Sequence, residues 1–172
     1  NRFVEFWEQH HDIIMKPLDG MGGRGIFHIG PDGKNLSVAW EVLSNNGKLA
    51  IMAQKYIPEI KTHGDKRVLI IGETVIPYAL ARIPQGMDER GNLAKGAIGD
   101  VIKLSDSEME MAQALIPSLV AKGLYFSGID IIGPYITEIN VTSPTCIQEI
   151  AQATEQDIAG MLIDYLLTLV NP

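Results

Sequence analysis

A chain of 172 residues, 46% of them hydrophobic and 20% charged, carries enough apolar material for a substantial core and is not a disordered or low-complexity segment. Its net charge of -7 argues against a nucleic-acid binder, whose basic face neutralises phosphates, though it leaves room for a local basic site, and its single cysteine, Cys146, excludes an internal disulfide framework and reads as a packed thiol. No apolar run approaches the roughly 20 residues that span a bilayer and no signal-like segment opens the chain, so cytoplasmic residence without membrane contact is expected.

The chain opens on Asn1 and enters an aromatic, helix-like stretch at 3–7, which reads as a cut through a longer protein. Apolar, β-branched residues predict a short buried strand over 12–16, followed by Pro17 and a glycine-rich loop. A strand over 26–29, a helix over 36–43 and a strand over 50–57, ending at Pro58, complete a first lobe at 1–57; the second lobe is 58–172. Apolar segments at 67–71 and 74–81 flank Gly72-Glu73 and predict a hairpin whose turn uses glycine at positive φ. The composition then turns polar over 83–99, the signature of a functional lid.

Ser105 and Glu108 are spaced as a capping box, and Met109, Ala112, Ile116 and Leu119 follow at helical spacing until Gly123 stops the helix. Ile158, Met161, Leu162, Tyr165, Leu166 and Leu169 form the apolar stripe of a closing helix packed on the sheet. The methionines of these stripes, with Trp7 and Trp40, are assigned to the core. The four histidines, including the His10-His11 pair, show no spacing that suggests zinc and are assigned to surface or hinge positions.

The strongest functional signal is Asp130 followed by Glu138 and Asn140 in the run Thr137 to Thr145. Side chains alternate along a strand, so Glu138 and Asn140 share a face while Ile139 and Val141 turn to the core. A three-residue loop of Gly133, Pro134 and Tyr135 would pair Ile132 with Ile136, set Asp130 opposite Glu138 and put Ile129 and Ile131 on the core face; a two-residue Gly133-Pro134 turn would spoil that register. Two carboxylates and an amide, with no histidine or cysteine, suit magnesium that shares its shell with a nucleotide's phosphates. The other reading of these residues is an ordinary hairpin with a solvated polar face.

Phosphate-handling features occur elsewhere. Lys16 ends the first strand beside the loop 17–25, whose Gly20, Gly22, Gly23 and Gly25 let backbone N–H groups approach an anion. The loop is not a Walker loop, which needs GxxxxGKS/T, and not a dinucleotide fingerprint, because it precedes a strand. Asp65, Lys66 and Arg67 open the hairpin, Arg82 ends it and Arg90 lies in the lid; arginine's planar fork suits phosphate or carboxylate.

Taken together, the motifs KPLDGMGG at 16–23, MAQKYIP at 52–58, GDKRV at 64–68, ARIPQG at 81–86, RGNLAKG at 90–96, and GIDII followed by TEINVTSPTC resemble those of the prokaryotic glutathione synthetase family, in its ATP-grasp portion, over nearly the whole chain. Related carboxylate-amine ligases share the lysine, the glycine loop and the acidic triad, but the Ser143-Pro144-Thr145 ending resembles glutathione synthetase more closely. The resemblance implies an α+β, ATP-grasp fold: two α/β lobes with largely antiparallel sheets clasping ATP between them. It implies a ligase that joins γ-glutamylcysteine to glycine through an acyl phosphate, with ATP cleaved to ADP and phosphate.

The resemblance also implies roles. Asp130, Glu138 and Asn140 would hold two magnesium ions, with manganese an alternative. Lys16, Gly20, Gly22 and Gly23 would hold the phosphates; Gln54, Lys55, Tyr56 and Ile57 would form the hinge at adenine; Asp65 would meet ribose and Arg67 the phosphate region. Arg82 would steady the acyl phosphate and the oxyanion formed on attack by glycine. Arg67 and Arg90 would join it in catalysis, and Asn140, Ser143 and Thr145 would contact the peptide. The lid, 83–98, would keep water from the intermediate. Ile98 departs from the pattern where an arginine is expected, with Lys95 the candidate to replace it. Relatives add an upstream domain that completes the γ-glutamylcysteine site and assemble as tetramers, so the chain alone is expected to be weakly active or inactive. Two alternatives stay open: a nucleotide-binding or oligomerisation module without catalysis, and a ligase with another amine acceptor.

Overall fold

A computed structural model describes residues 2–20, 22–84 and 98–170, and of residue 98 only the backbone. The chain divides into two units, Asn1–Pro58 and Glu59–Pro172. In the first unit, α1 (Arg2–His10), β1 (Ile13–Pro17), β2 (Phe27–Ile29), α2 (Leu36–Ser44) and β3 (Ile51–Lys55) follow in order, and the strands form an antiparallel sheet, β2-β1-β3. The central strand alternates: Ile13 and Met15 are fully buried and join Ile29, Leu36 and Ala39 in a core against which Trp7 and Trp40 pack. Trp7 also donates its indole N–H to the Gly30 carbonyl at 3.0 Å. The opposite sheet face carries Ile14 and Lys16, with His28 and Gln54 both paired to Ile14.

The second unit contains α3 (Ile60–His63), β4 (Asp65–Ile71), β5 (Thr74–Ile83), β6 (Ile98–Lys103), α4 (Asp106–Ala121), β7 (Phe126–Ile132), β8 (Tyr135–Asn140), α5 (Ile147–Thr154) and α6 (Ile158–Val170). Its strands form one sheet in the order β6-β5-β4-β7-β8, antiparallel at every pairing. Among the described residues both sheets are therefore antiparallel, as the α+β expectation had it. Both faces of the larger sheet are covered, which explains the unbroken apolar run Val68-Leu69-Ile70-Ile71 in β4. Val68 and Ile70 pack with Ile129, Ile131 and α4 residues such as Ala112 and Leu119; Leu69 and Ile71 pack on the other side with Cys146, Ile150 and Ile158.

The capping box forms at the start of α4: Glu108 N–H donates to Ser105 Oγ, and Glu108 Oε2 accepts from Ser105 N–H at 2.9 Å. Glu108 also accepts from Lys66 Nζ at 2.5 Å, which ties the helix to β4. Gly72 turns the β4–β5 hairpin at φ 55°, in the left-handed region the sequence called for. No helix among the described residues is long and apolar enough to cross a membrane.

Three expectations are corrected. The β7–β8 hairpin has the two-residue turn, with Ile132 opposite Tyr135, yet Asp130 still faces Glu138 because the register shifts between Asp130 and Ile131. The pairs Ile131–Ile136 and Asp130–Glu138 leave Thr137 as the extra residue of a bulge, and its hydroxyl donates to the Asp130 carbonyl at 3.2 Å. Second, Ile139 and Val141 do not reach the core: β8 is an edge strand and they remain 45% and 43% exposed. Third, the inward face of α6 consists of Ile158, Leu162 and Tyr165, whereas Met161, Leu166 and Leu169 are about two-fifths exposed. Helix α5 and strand β6 had no element assigned to them.

Candidate functional site

The register of the larger sheet aligns a row of charged residues across four neighbouring strands. Arg82 on β5 lies opposite Asp65 on β4; Arg67 on β4 lies opposite Asp130 on β7; Asp130 lies opposite Glu138 on β8. Ile129 and Ile131 belong to the core on the α4 side, so Asp130 and its row project from the face that also carries Cys146. Here strand order converts residues scattered over 74 positions into neighbours.

Each buried charge in the row has a partner of opposite sign. Arg82 donates from Nε and Nη2 to the two oxygens of Asp65 at 2.6 and 2.7 Å, a bidentate pair. Its Nη2 also approaches Asp130 Oδ2 at 3.1 Å. Arg67 donates from Nε and Nη2 to Asp130 at 2.5 and 2.9 Å, and from Nη1 to Thr145 Oγ1 at 3.3 Å. Arg67, Arg82 and Asp130 are 6%, 8% and 3% exposed, so the four charges form a neutral, nearly buried network.

The electrostatics follow from that balance. Burial opposes ionisation of Asp130, but Arg67 and Arg82 outweigh it and hold the group below the ordinary carboxylate range. Burial, with the nearby Asp130 charge and against the pull of Arg82, pushes the Asp65 carboxyl up to about 6. Both guanidiniums are held above their ordinary value, because their carboxylates outweigh the burial that opposes their charge. Burial pushes the Cys146 thiol up, which fits a packed rather than reactive group.

The sequence did not reveal how this network is supported. Gly128, two residues before Asp130, has no room for a side chain: a Cβ there would lie 2.8 Å from Pro144 Cβ and 2.9 Å from Arg67 Cδ. Arg67 therefore passes over Gly128 to reach Asp130, and the segment after β8 closes on the same spot. That segment is held in an uncommon backbone shape, with Ser143 at φ 50° and Cys146 at φ 86°. Glycine before an acidic strand residue was the available signal for the first feature; nothing local signalled the second.

The donor set fits a hard divalent cation. The candidate set of Asp130, Glu138 and Asn140 is two carboxylates and an amide, all oxygen donors; among the described residues no three His, Cys, Asp or Glu side chains gather as a metal site. With its amide turned to satisfy both neighbours, Asn140 donates to Glu138 Oε1 at 3.0 Å and accepts from Arg67 Nη2 at 3.2 Å. Arg67 thus stands as a cation against Asp130 and Asn140, while Glu138 is joined to them through Asn140.

In the first unit, Lys16 and Gln54 lie on the sheet face away from the core, whereas Lys55 pairs with Ile13 on the other face and is exposed. Tyr56 is buried, its backbone N–H bonded to the Asp12 carbonyl, and its ring stacks on His28 with centroids 4.2 Å apart. His28 in turn meets Asp12 Oδ1 at 2.6 Å, a contact the sequence reading did not anticipate. Gly22 and Gly23 adopt φ of 66° and 69°. Arg90, Lys95 and most of the lid lie outside the described residues, as does the side chain of Ile98.

The family described as prokaryotic glutathione synthetase, ATP-grasp domain, matches residues 1–155. The glutathione synthetase of Ralstonia nicotianae (strain ATCC BAA-1114 / GMI1000) is 52% identical over 165 residues, which are 96% of this chain and 51% of that protein. The chain thus spans about half the length of the curated relatives it matches. Two solved structures share the fold: D-cycloserine synthetase DcsG, at TM-score 0.75 and 16% identity over 95% of this chain and 58% of that one, and the ATP-grasp ligase PsnB complexed with minimal precursor, Mg and ADP, at TM-score 0.65 and 21% identity over 99% of this chain and 50% of that one. On the match over 1–155, the chain belongs to the prokaryotic glutathione synthetase ATP-grasp domain family.

Proposed function

We propose that this chain is the ATP-grasp part of a ligase that joins γ-glutamylcysteine to glycine, with ATP consumed and an acyl phosphate formed on the way. The observation that supports it most is the row Arg82, Asp65, Arg67, Asp130, Glu138 and Asn140 on one sheet face, which sets phosphate-binding cations beside a hard-metal donor set. Family membership and the 52% identity to a glutathione synthetase support the same substrates.

Asp130, Glu138 and Asn140 hold magnesium, which when bound screens the negative charge of the phosphate oxygens. Lys16 and the loop containing Gly20, Gly22 and Gly23 bind phosphate; Gln54, Lys55, Tyr56 and Ile57 meet adenine. Arg82 steadies the acyl phosphate and the oxyanion that follows glycine attack, and Arg67 and Arg90 add charge at the transferred phosphate. Asn140, Ser143 and Thr145 contact the peptide. Asp65, whose two oxygens are taken by Arg82, serves that arginine first, and a ribose contact uses what lone-pair capacity is left. The proposed partners are ATP, γ-glutamylcysteine, glycine, the upstream domain and further copies of the protein in a tetramer.

The test is ADP release by the full-length protein with γ-glutamylcysteine, and with glycine, alanine or glutamate as acceptor. Release that requires both the peptide and glycine supports the reading. Nucleotide binding without acceptor-dependent release marks a non-catalytic module, and preference for another amine changes the acceptor.

A further inference from the structure

Arg67 is the side chain on which the candidate metal donors converge. Its Nε and Nη2 reach both Asp130 oxygens at 2.5 and 2.9 Å, and Nη2 also reaches the Asn140 amide oxygen at 3.2 Å. Glu138 is drawn into the same cluster through its 3.0 Å contact with the Asn140 nitrogen. A divalent cation binding at this site would use those oxygens, and a guanidinium lying on them competes with it both for lone pairs and by charge repulsion.

The other attachments of the row are unequal. Arg82 keeps a bidentate partner of its own in Asp65, so it retains an anchor whatever happens at Asp130. Beyond Asp130 and Asn140, Arg67 donates, among the described residues, a 3.3 Å bond to the neutral Thr145 hydroxyl, which costs little to give up.

We propose that Arg67 is a displaceable internal cation: its guanidinium lies where a divalent metal takes its oxygens, and it leaves Asp130 when the metal enters. The proposal rests on the metal-nucleotide reading above. Two consequences follow from the contacts. The positive charge freed from Asp130 turns to the nearest anion, a phosphate or a substrate carboxylate. The segment after β8 loses its hydrogen bond at Thr145, while Cys146 stays packed in the core.

The test is a manganese titration of the 172-residue chain without nucleotide, followed by the electron paramagnetic resonance of the free ion. Removing the competing charge in Arg67→Met should tighten manganese binding about tenfold or more, whereas Arg67→Lys, which keeps a cation there, stays within about threefold of wild type. Adding Glu138→Gln to Arg67→Met should undo the gain. Equal or weaker binding by Arg67→Met overturns the proposal. A second measurement on the wild-type chain does not depend on how the variant folds: the Arg67 Nε–H resonance should lose its hydrogen-bond shift and exchange faster with water when magnesium and a non-hydrolysable ATP analogue bind. A resonance unmoved by the bound metal-nucleotide overturns displacement while leaving the functional reading in place. No magnesium-dependent nucleotide binding by folded wild type removes that reading, and this proposal with it.

Discussion

Arg67 donates to both carboxylate oxygens of Asp130, across two adjacent strands and with both side chains almost fully buried. Removing one member of such a pair leaves an uncompensated buried charge, which typically costs about 3–5 kcal/mol. The pair is therefore structural, and variants of either residue need a stability measurement beside any binding measurement.

Gly128 makes room for that pair. A methyl group there meets Pro144 and Arg67 at 2.8 and 2.9 Å, so Gly128→Ala should lower stability by about 1–3 kcal/mol in urea unfolding. Gly30→Ala is the control, because nothing lies within 4 Å of the added carbon. It should stay within about 0.5 kcal/mol of wild type or gain slightly. Equal effects of the two changes would show that the space at Gly128 is not limiting.

Glu108 does two jobs, capping α4 and pairing with Lys66. Ser105→Ala removes half of the cap and should cost about 1 kcal/mol, while Glu108→Ala also strips Lys66 of its partner and should cost about 2–3 kcal/mol. Chemical denaturation of both variants checks the order; a smaller loss for Glu108→Ala contradicts it.

Asp65 predicts a pH dependence of stability. Its folded-state pKa is raised from 3.8 to about 6, so the folded protein holds this proton more tightly than the unfolded chain does. The contribution is fully present below about 4 and is lost as pH rises through about 6. Relative to Asp65→Asn, wild type should therefore lose up to about 3 kcal/mol across that window and change little above it. Asp130, with its pKa depressed, has the opposite sign: its contribution is present above the unfolded value and falls away in acid. Parallel stability curves for wild type and Asp65→Asn would rule out the raised value.

In the full-length protein, the role proposed for Arg82, steadying charge that develops during the reaction, predicts that Arg82→Lys lowers kcat about 10²–10³-fold while leaving KM for ATP within about threefold. A rise in KM alone would reassign Arg82 to nucleotide binding.

Much of this was legible from local signals. The capping box at Ser105 and Glu108 is a short-range hydrogen-bond pattern, and it formed as read. The shared face of Asp130, Glu138 and Asn140 follows from strand alternation. The bulge at Thr137 was not legible, because a two-residue turn and a register shift compensate each other and leave Asp130 opposite Glu138 by a different route. The pairing of Arg67 with Asp130 depends on β4 lying beside β7, which no local pattern encodes, whereas that of Arg82 with Asp65 follows from the β4–β5 hairpin through a register shift between Val68 and Ile70. The stripe of α6 misled for a related reason: with apolar residues nearly all round the helix, periodicity does not say which of them meet the sheet.

Every role proposed for the row on the larger sheet depends on Asp130 and Glu138 binding a metal that carries ATP. Calorimetric titration of the folded chain with ATP, with and without magnesium, in wild type and in the Asp130→Asn and Glu138→Gln variants, tests it most directly. Magnesium-dependent binding that weakens in both variants is expected. Binding that is indifferent to magnesium, or equally tight in both folded variants, would contradict it.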